Sequence, residues 1–101
     1  MQIKKDSKLY VRIDYKVCEK TLSNKDFQDH LTYVQNIANE RYFVGGGFTN
    51  SNEVGGIVIF EARNLKEAKE IFRKDPIIEK GFYRCEIFEW KVAVISEGIN
   101  V

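Results

Sequence analysis

Apolar and polar residues alternate without interruption between Lys8 and Val17. One side of an extended chain would carry Leu9, Val11, Ile13, Tyr15 and Val17, and the other Tyr10, Arg12, Asp14 and Lys16. A period of two residues is typical of a β-strand with two unlike faces. The pattern therefore predicts a first strand over Lys8 to Val17.

A helical period follows this strand. The apolar positions at helical spacing are Phe27, Leu31, Val34, Ile37 and Ala38. Ser23 stands three residues before Asp26, which resembles a capping box at a helix N-terminus. We expect a helix from about Asp26 to Glu40.

The middle of the chain predicts two strands. Tyr42 to Val44 is aromatic and β-branched and runs into Gly45, Gly46 and Gly47, which indicates a short strand leading into a loop. Phe48 to Glu53 is polar and turn-like. Ile57 to Phe60 is apolar at every position, which favours a central strand covered on both faces.

The last third predicts a helix and a strand. Asn64 can cap a helix whose apolar side carries Leu65, Ala68, Ile71 and Phe72, and Pro76 should stop it near Asp75. Phe82 to Ile95 is rich in β-branched and aromatic residues, so it predicts a final strand, or a strand with an extension.

The order β-α-β-β-α-β predicts the ferredoxin-like plait, an α+β fold with a four-stranded antiparallel sheet and both helices on one face. Tyr10, Val58 and Phe60 would leave an apolar patch on the other face, and a second copy of the sheet would cover it. We therefore expect a homodimer. The topology should also bring Cys18 near Cys85.

Composition narrows the classes of function. The 101 residues are 44% hydrophobic, which suits one domain over residues 1–101 with a single core. A net charge of +1 gives no nucleic-acid footprint. The N-terminal residues have no apolar run of the signal-peptide type, and no stretch is long enough to span a membrane, so a cytoplasmic protein is expected. Cys18 and Cys85 lack metal-site spacing, and no metal or cofactor is expected.

His30 and Asp75 are the candidate catalytic residues. His30 lies at the margin of the apolar stripe of the first helix, where it is either a core-edge residue or a half-buried proton donor and acceptor. Asp75 would close the second helix, where the helix dipole opposes a carboxylate unless a cation or donor compensates. Since both helices share one face of the sheet, Asp75 could orient the imidazole and stabilise its protonated form.

The candidate ligand-binding residues come from two strands. Gly46 and Gly47 would let the backbone approach a ligand and shape a pocket wall; the alternative is a strand exit with positive φ angles. Arg12 and Asp14 share the polar face of the first strand, where they could line a dimer interface, line a pocket, or form a solvated pair. Tyr83 and Trp90 are more typical of a core or an interface than of a substrate platform.

Several short motifs together resemble the YCII-related family over most of the chain. They are His30-Leu31-Thr32-Tyr33, Tyr42-Phe43-Val44-Gly45-Gly46, Gly55-Gly56-Ile57-Val58-Ile59-Phe60, Leu65-Lys66-Glu67-Ala68, Lys74-Asp75-Pro76 and Ile87-Phe88-Glu89-Trp90. The resemblance implies a dimeric α+β barrel with a His-Asp active site, which maps onto His30 and Asp75. It also implies similarity to muconolactone-isomerase-type proteins and to relatives that act on small cyclic intermediates. Phe27 replaces a frequent Arg of the family, which weakens the case for a carboxylated substrate.

The sequence thus predicts a small-molecule enzyme without a cofactor. His30 would exchange a proton with a small cyclic or enolisable substrate in isomerase, lyase or lactone-type chemistry, and Asp75 would hold the imidazole. The alternative is a non-catalytic dimeric module that binds a small ligand or a protein. An RNA-binding plait should carry more aromatic residues on its central strands than Ile57 to Phe60 offers.

Overall fold

The computed structural model describes residues 8–17, 19 and 21–96. Cys18 lies outside the described residues, so its predicted proximity to Cys85 is not observed. The elements in chain order are β1 (Lys8–Lys16), α1 (Asn24–Ala38), β2 (Phe43–Gly47), β3 (Val54–Phe60), α2 (Leu65–Ile71), α3 (Pro76–Glu79) and β4 (Tyr83–Lys91).

The four strands form one antiparallel sheet in the order β2-β3-β1-β4. This is the ferredoxin-like arrangement, so the predicted α+β fold is confirmed. Each of the two central strands, β1 and β3, pairs along both of its edges. Among the described residues, no helix is long and apolar enough to cross a membrane.

The sheet face that packs on the helices is the opposite of the one that the hydrophobic pattern suggests. Tyr10, Val58 and Phe60 are 2%, 9% and 0% exposed and pack with Ala68 and Phe72 of the α2 segment. The expectation that the first three form an uncovered patch is therefore wrong. The alternation along β1 suggests the wrong inward face, because Arg12 and Asp14 look like surface residues but are buried on the same face as Tyr10.

The other sheet face is apolar and carries no helix. One row of cross-strand neighbours on this open face runs through all four strands and consists of Val44, Ile59, Val11 and Phe88. Val44 and Phe88 are each 45% exposed, and Trp90, on the same side of β4, is 42% exposed. The segment that follows β4 covers part of this face, where Leu9 and Val92 cluster with Ile59 and Ile95. Within the described residues, the rest of this face, with Val44, Phe88 and Trp90, stays exposed.

Several boundaries differ from the sequence prediction, most visibly at β2, which continues through the glycines to Gly47, and at β3, which begins at Val54 instead of Ile57. α1 starts two residues early, at Asn24, with Ser23 Oγ accepting a hydrogen bond from the Asp26 amide at 3.1 Å as expected. α2 ends at Ile71 rather than near Asp75, and a separate short helix, α3, begins at Pro76. β4 ends at Lys91, and the irregular chain that follows buries Val92 against Leu9 and Tyr42.

Candidate functional site

Four charged or titratable side chains form a continuous hydrogen-bonded chain on the helix-covered face of the sheet. His30 Nδ1 lies 2.8 Å from Asp75 Oδ1 and 3.0 Å from Asp75 Oδ2. Arg12 Nη1 donates to Asp75 Oδ2 at 2.8 Å, and Arg12 Nε donates to Asp14 Oδ1 at 2.6 Å. The order His30, Asp75, Arg12, Asp14 connects helix α1 to the centre of the sheet.

Asp75 occupies a helix N-terminus and not the C-terminus that the sequence suggested. Its carboxylate Oδ1 accepts a hydrogen bond from the Ile77 amide at 3.2 Å, which makes it the N-cap of α3, and Pro76 fills the first helical position. The expectation was wrong because α2 stops at Ile71, four residues earlier than the proline requires. The dipole therefore favours the carboxylate instead of opposing it.

Contacts on either side of His30 in α1 fix this residue relative to Asp75. Lys80 Nζ at the end of α3 donates to Asp26 Oδ1 at 2.6 Å, and the Tyr33 hydroxyl donates to the Ile71 carbonyl at 2.6 Å. These bonds tie the helix that carries the imidazole to the segment that carries the carboxylate. The His30 side chain is 17% exposed, whereas that of Asp75 is fully buried.

Arg12 is completely buried and neither forms a solvated pair nor lines the cleft described below. Its guanidinium carbon lies 4.6 Å from the centre of the Phe72 ring. Burial disfavours its charge, but Asp14 and Asp75 outweigh that effect and raise its pKa. The sequence predicts that Arg12 contacts the substrate, but in the structure its guanidinium instead holds the two carboxylates.

Burial and the charge of Arg12 shift the pKa values of Asp14 and Asp75 in opposite directions. Burial alone would raise the pKa of Asp75, but the His30 hydrogen bond and the Arg12 charge outweigh it, so that this pKa lies below its usual value. Burial raises the pKa of Asp14 above its usual value, and Arg12 offsets only part of the rise. Asp75 is therefore a stable anion that can only accept hydrogen bonds.

This state of Asp75 assigns the hydrogen on the imidazole. Because the carboxylate only accepts, the hydrogen between His30 and Asp75 belongs to Nδ1. Nε2 then carries the free lone pair of the neutral ring, and no described residue bonds to it. His30 is thus oriented to take a proton at Nε2 and to be stabilised as an imidazolium by Asp75.

A cleft of about 940 Å³ opens between α1 and the β2–β3 edge of the sheet. The residues that line it are Asp14, Leu22, Phe27, His30, Leu31, Thr32, Val34, Gln35, Asn36, Ala38, Phe43, Val44, Gly45, Gly46, Gly47, Gly55, Gly56, Ile57, Val58, Ile77 and Tyr83. His30 and Asp14 reach this cleft from opposite ends of the hydrogen-bonded chain. Both side chains therefore face the space that a ligand would occupy.

Five glycines from β2 and β3 line the cleft, so these strands present few side chains to it. Gly45, Gly46 and Gly47 belong to β2 and have no positive φ, so the predicted strand exit with positive φ angles is wrong. The backbone is nevertheless tightly packed at β3, where a Cβ on Gly56 would lie 2.9 Å from the Gly46 carbonyl oxygen. A Cβ on Gly46 itself would meet nothing within 4 Å.

Part of the cleft is not predicted from the sequence. Phe27 and Leu31 belong to the apolar stripe of α1, yet they are 45% and 40% exposed and line the cleft. Gly55, Gly56 and Tyr83 also line it. The double glycine that opens β3 was the available signal, because two adjacent glycines inside a strand mark a close backbone approach.

Trp90 and Cys85 take no part in this chain of hydrogen bonds. Trp90 is on the open face of β4, whereas Cys85 is half-buried beside Asp14 on the helix-covered face, and burial raises the pKa of its thiol. Among the described residues, no three His, Cys, Asp or Glu side chains are placed to hold a metal ion.

The comparisons with known proteins agree with this fold. The family model of the YCII-related domain matches residues 8–91. The chain belongs to the YCII-related family. Among solved structures, this YCII-related chain is similar to 5-chloro-2-hydroxyhydroquinone dehydrochlorinase (TftG) from Burkholderia phenoliruptrix AC1100, in complex with 2,5-dihydroxybenzoquinone. The two share 20% sequence identity with a TM-score of 0.65, over 82% of this chain and 93% of the other. No curated protein matches the sequence.

Proposed function

We propose that this YCII-related protein is a small-molecule enzyme that transfers protons with His30 as its general acid and base. The observation that carries the proposal is the 2.8 Å contact between His30 Nδ1 and Asp75 Oδ1, beside a cleft that His30 itself lines. A fully buried carboxylate that fixes one imidazole nitrogen leaves the other available to a substrate.

The reaction requires only groups that the cleft provides. His30 Nε2 removes a proton from a carbon or oxygen of the substrate, and Asp75 stabilises the imidazolium that forms. The same proton returns to another atom in an isomerisation, or stays on the ring while a leaving group departs in an elimination. Arg12 does not touch the substrate; it keeps Asp75 anionic and oriented, and so acts as a positioning residue.

The substrate class is a small cyclic or enolisable molecule. The lining of the cleft is mostly apolar and includes two exposed hydrophobic side chains, Phe27 and Leu31, which suit the faces of a ring. The similar structure from Burkholderia carries a six-membered quinone and is named as a dehydrochlorinase, so elimination from a substituted ring is the first reaction to test.

A panel of cyclic ketones, lactones and chlorinated hydroquinones in deuterated buffer tests this proposal. Proton NMR would follow deuterium incorporation, and ion chromatography would follow released chloride. The His30→Gln variant should lose about a hundredfold or more of any rate found with the native protein. Gln28→Ala changes an exposed residue of α1 outside the cleft and should keep the rate.

Two results would overturn the enzyme proposal. One is a turnover that His30→Gln retains in full. The other is a correctly folded native protein that exchanges no proton and releases no chloride with any member of the panel, which would favour the non-catalytic ligand-binding module.

We also propose that two copies of the chain pair through their open sheet faces. The support is the row of apolar residues that crosses all four strands, Val44, Ile59, Val11 and Phe88, because an apolar surface of this continuity is unfavourable in water. His30 is on α1, on the helix-covered side of the sheet, so this pairing would leave it accessible, whereas Val44 belongs both to this row and to the lining of the cleft.

A further inference from the structure

The wall of the cleft contains ionisable side chains but, among the described residues, no permanent cation. Among the described residues that line it, the ionisable ones are Asp14, His30 and Tyr83, and none is a lysine or an arginine. The nearby lysines of α1 and of the end of α3 are already paired: Lys25 donates to Asp29 and Lys80 to Asp26. Among the described residues, no lysine or arginine is therefore placed on the cleft wall to neutralise an anionic ligand.

The one carboxylate on the wall has a free oxygen. The Asp14 side chain is 9% exposed, and its Oδ1 accepts from Arg12 Nε. Its Oδ2 has no hydrogen-bond donor among the described residues and lies 3.8 Å from the position of a Cβ on Gly56, a residue that also lines the cleft. Because Gly56 has no side chain, a ligand can approach this oxygen.

The hydrogen-bonded chain as a whole is negative. One guanidinium, that of Arg12, lies between two carboxylates, those of Asp14 and Asp75. With His30 neutral, the cluster carries one net negative charge. In a partly buried site such a charge repels anions and attracts hydrogen-bond donors more strongly than it would in water.

We propose that the cleft binds an apolar ring that bears a hydroxyl or amino donor and no anionic group, with the donor placed on Asp14 Oδ2. This proposal rests on the proposed function, since it names the substrate class of the same site. Phe27 and Leu31 would contact the ring, Asp14 would bind its donor, and His30 would face the atom that exchanges a proton. Asp14 thus becomes a residue that determines specificity.

A matched series of three probes tests the charge preference: benzylamine, benzyl alcohol and benzoate, which share a ring and differ in the attached group. Titrations at neutral pH, followed by amide chemical shifts of the native protein, would give their dissociation constants. We expect benzylamine and benzyl alcohol to shift the amides of the cleft, and benzylamine to bind about tenfold or more tightly than benzoate, a difference of about 1.4 kcal/mol.

Two variants test whether Asp14 causes the preference for benzylamine over benzoate. Asp14→Asn keeps the shape and removes the charge, so it should abolish the discrimination between benzylamine and benzoate. Asp29→Asn makes the same chemical change on α1 outside the cleft and should leave the discrimination unchanged. The series on the native protein decides the charge preference even if Asp14→Asn does not fold.

The outcomes separate this inference from the proposed function. Benzoate binding as tightly as benzylamine, or no shift of the cleft amides with any probe, would overturn the specificity of Asp14 without touching the proton-transfer test on His30. Conversely, a clear preference for benzylamine that survives in His30→Gln supports the specificity even if the panel of cyclic substrates shows no turnover.

Discussion

His30 Nδ1 and Asp75 Oδ1 are 2.8 Å apart although 45 residues separate them in the chain. The carboxylate of Asp75 accepts from three donors on three different segments, His30 on α1, Arg12 on β1 and the amide of Ile77 in α3. A carboxylate held in this way has little freedom to rotate. The orientation of the imidazole is therefore a property of the whole fold and not of the helix that carries it.

Asp75→Asn should destabilise the protein strongly. The substitution leaves Arg12 with one carboxylate partner instead of two in a fully buried position, and removing one member of a buried ion pair costs about 3 to 5 kcal/mol. Urea denaturation followed by circular dichroism would measure the free energy of unfolding. Asp29→Asn, which removes an exposed ion pair with Lys25, serves as the control and should leave that free energy nearly unchanged. Equal effects of the two variants would contradict the buried network.

The stability deficit of Asp75→Asn should shrink in acid. The folded-state pKa of Asp75 lies below its value in the unfolded chain, because Arg12 and His30 favour the anion. Its stabilising contribution is then complete at pH values above the unfolded pKa and is lost as the pH falls from about 5 through the folded pKa. Denaturation of the native protein and of Asp75→Asn across this pH range tests whether the stability deficit shrinks in acid. A deficit that grows on acidification would be incompatible with a lowered pKa.

Gly56→Ala and Gly46→Ala should differ although the two glycines lie on neighbouring strands. A Cβ at Gly56 would lie 2.9 Å from a backbone carbonyl oxygen, which can move only with the strand, and overpacking of this kind costs about 1 to 3 kcal/mol. Gly46 has open space at the same position and no positive φ, so alanine there should change the free energy of unfolding by less than about 1 kcal/mol. The reverse order of stability would show that the β2–β3 packing is different.

Phe88→Lys should convert the proposed dimer into a monomer. Phe88 is 45% exposed on the open sheet face, and a charge there would have to be buried between the two sheets. Phe27→Lys changes a side chain of the same exposure on α1, on the other side of the sheet, and should leave the dimer intact. Sedimentation velocity reports both states. A native chain that is monomeric at micromolar concentration, or a dimer that only Phe27→Lys disrupts, would rule out pairing through the sheet face.

The four strands, α1 and α2 could be predicted because each has a local signal, whereas the short helix α3 was not predicted. The alternation over Lys8 to Val17 marks β1, Ser23 marks the start of α1, and Asn64 marks the start of α2. The inward face of β1 could not be predicted in the same way. Alternation shows only that two faces differ, and Arg12 looks like a surface residue until its partner Asp75, 63 residues away, is known.

The candidate site, too, could be predicted only in part from the sequence. The helical position of His30 and the Asp-Pro pair at Asp75 are visible in the sequence, so both residues could be singled out. Their distance, the direction in which Asp75 caps a helix and the free oxygen of Asp14 depend on where α2 ends and on how the glycines of β2 and β3 pack. These are tertiary features, and the periodicity of apolar and polar residues along the chain gives no information about them.

The position of the imidazole hydrogen in His30 shows whether Asp75 orients the ring for proton transfer. Proton–nitrogen correlation spectra of the side chain, recorded at a pH where the ring is neutral, distinguish the two tautomers. We expect the hydrogen on Nδ1, facing Asp75, and we expect this preference to be lost in Asp75→Asn. A neutral His30 with its hydrogen on Nε2, or a tautomer that does not respond to Asp75→Asn, would contradict it.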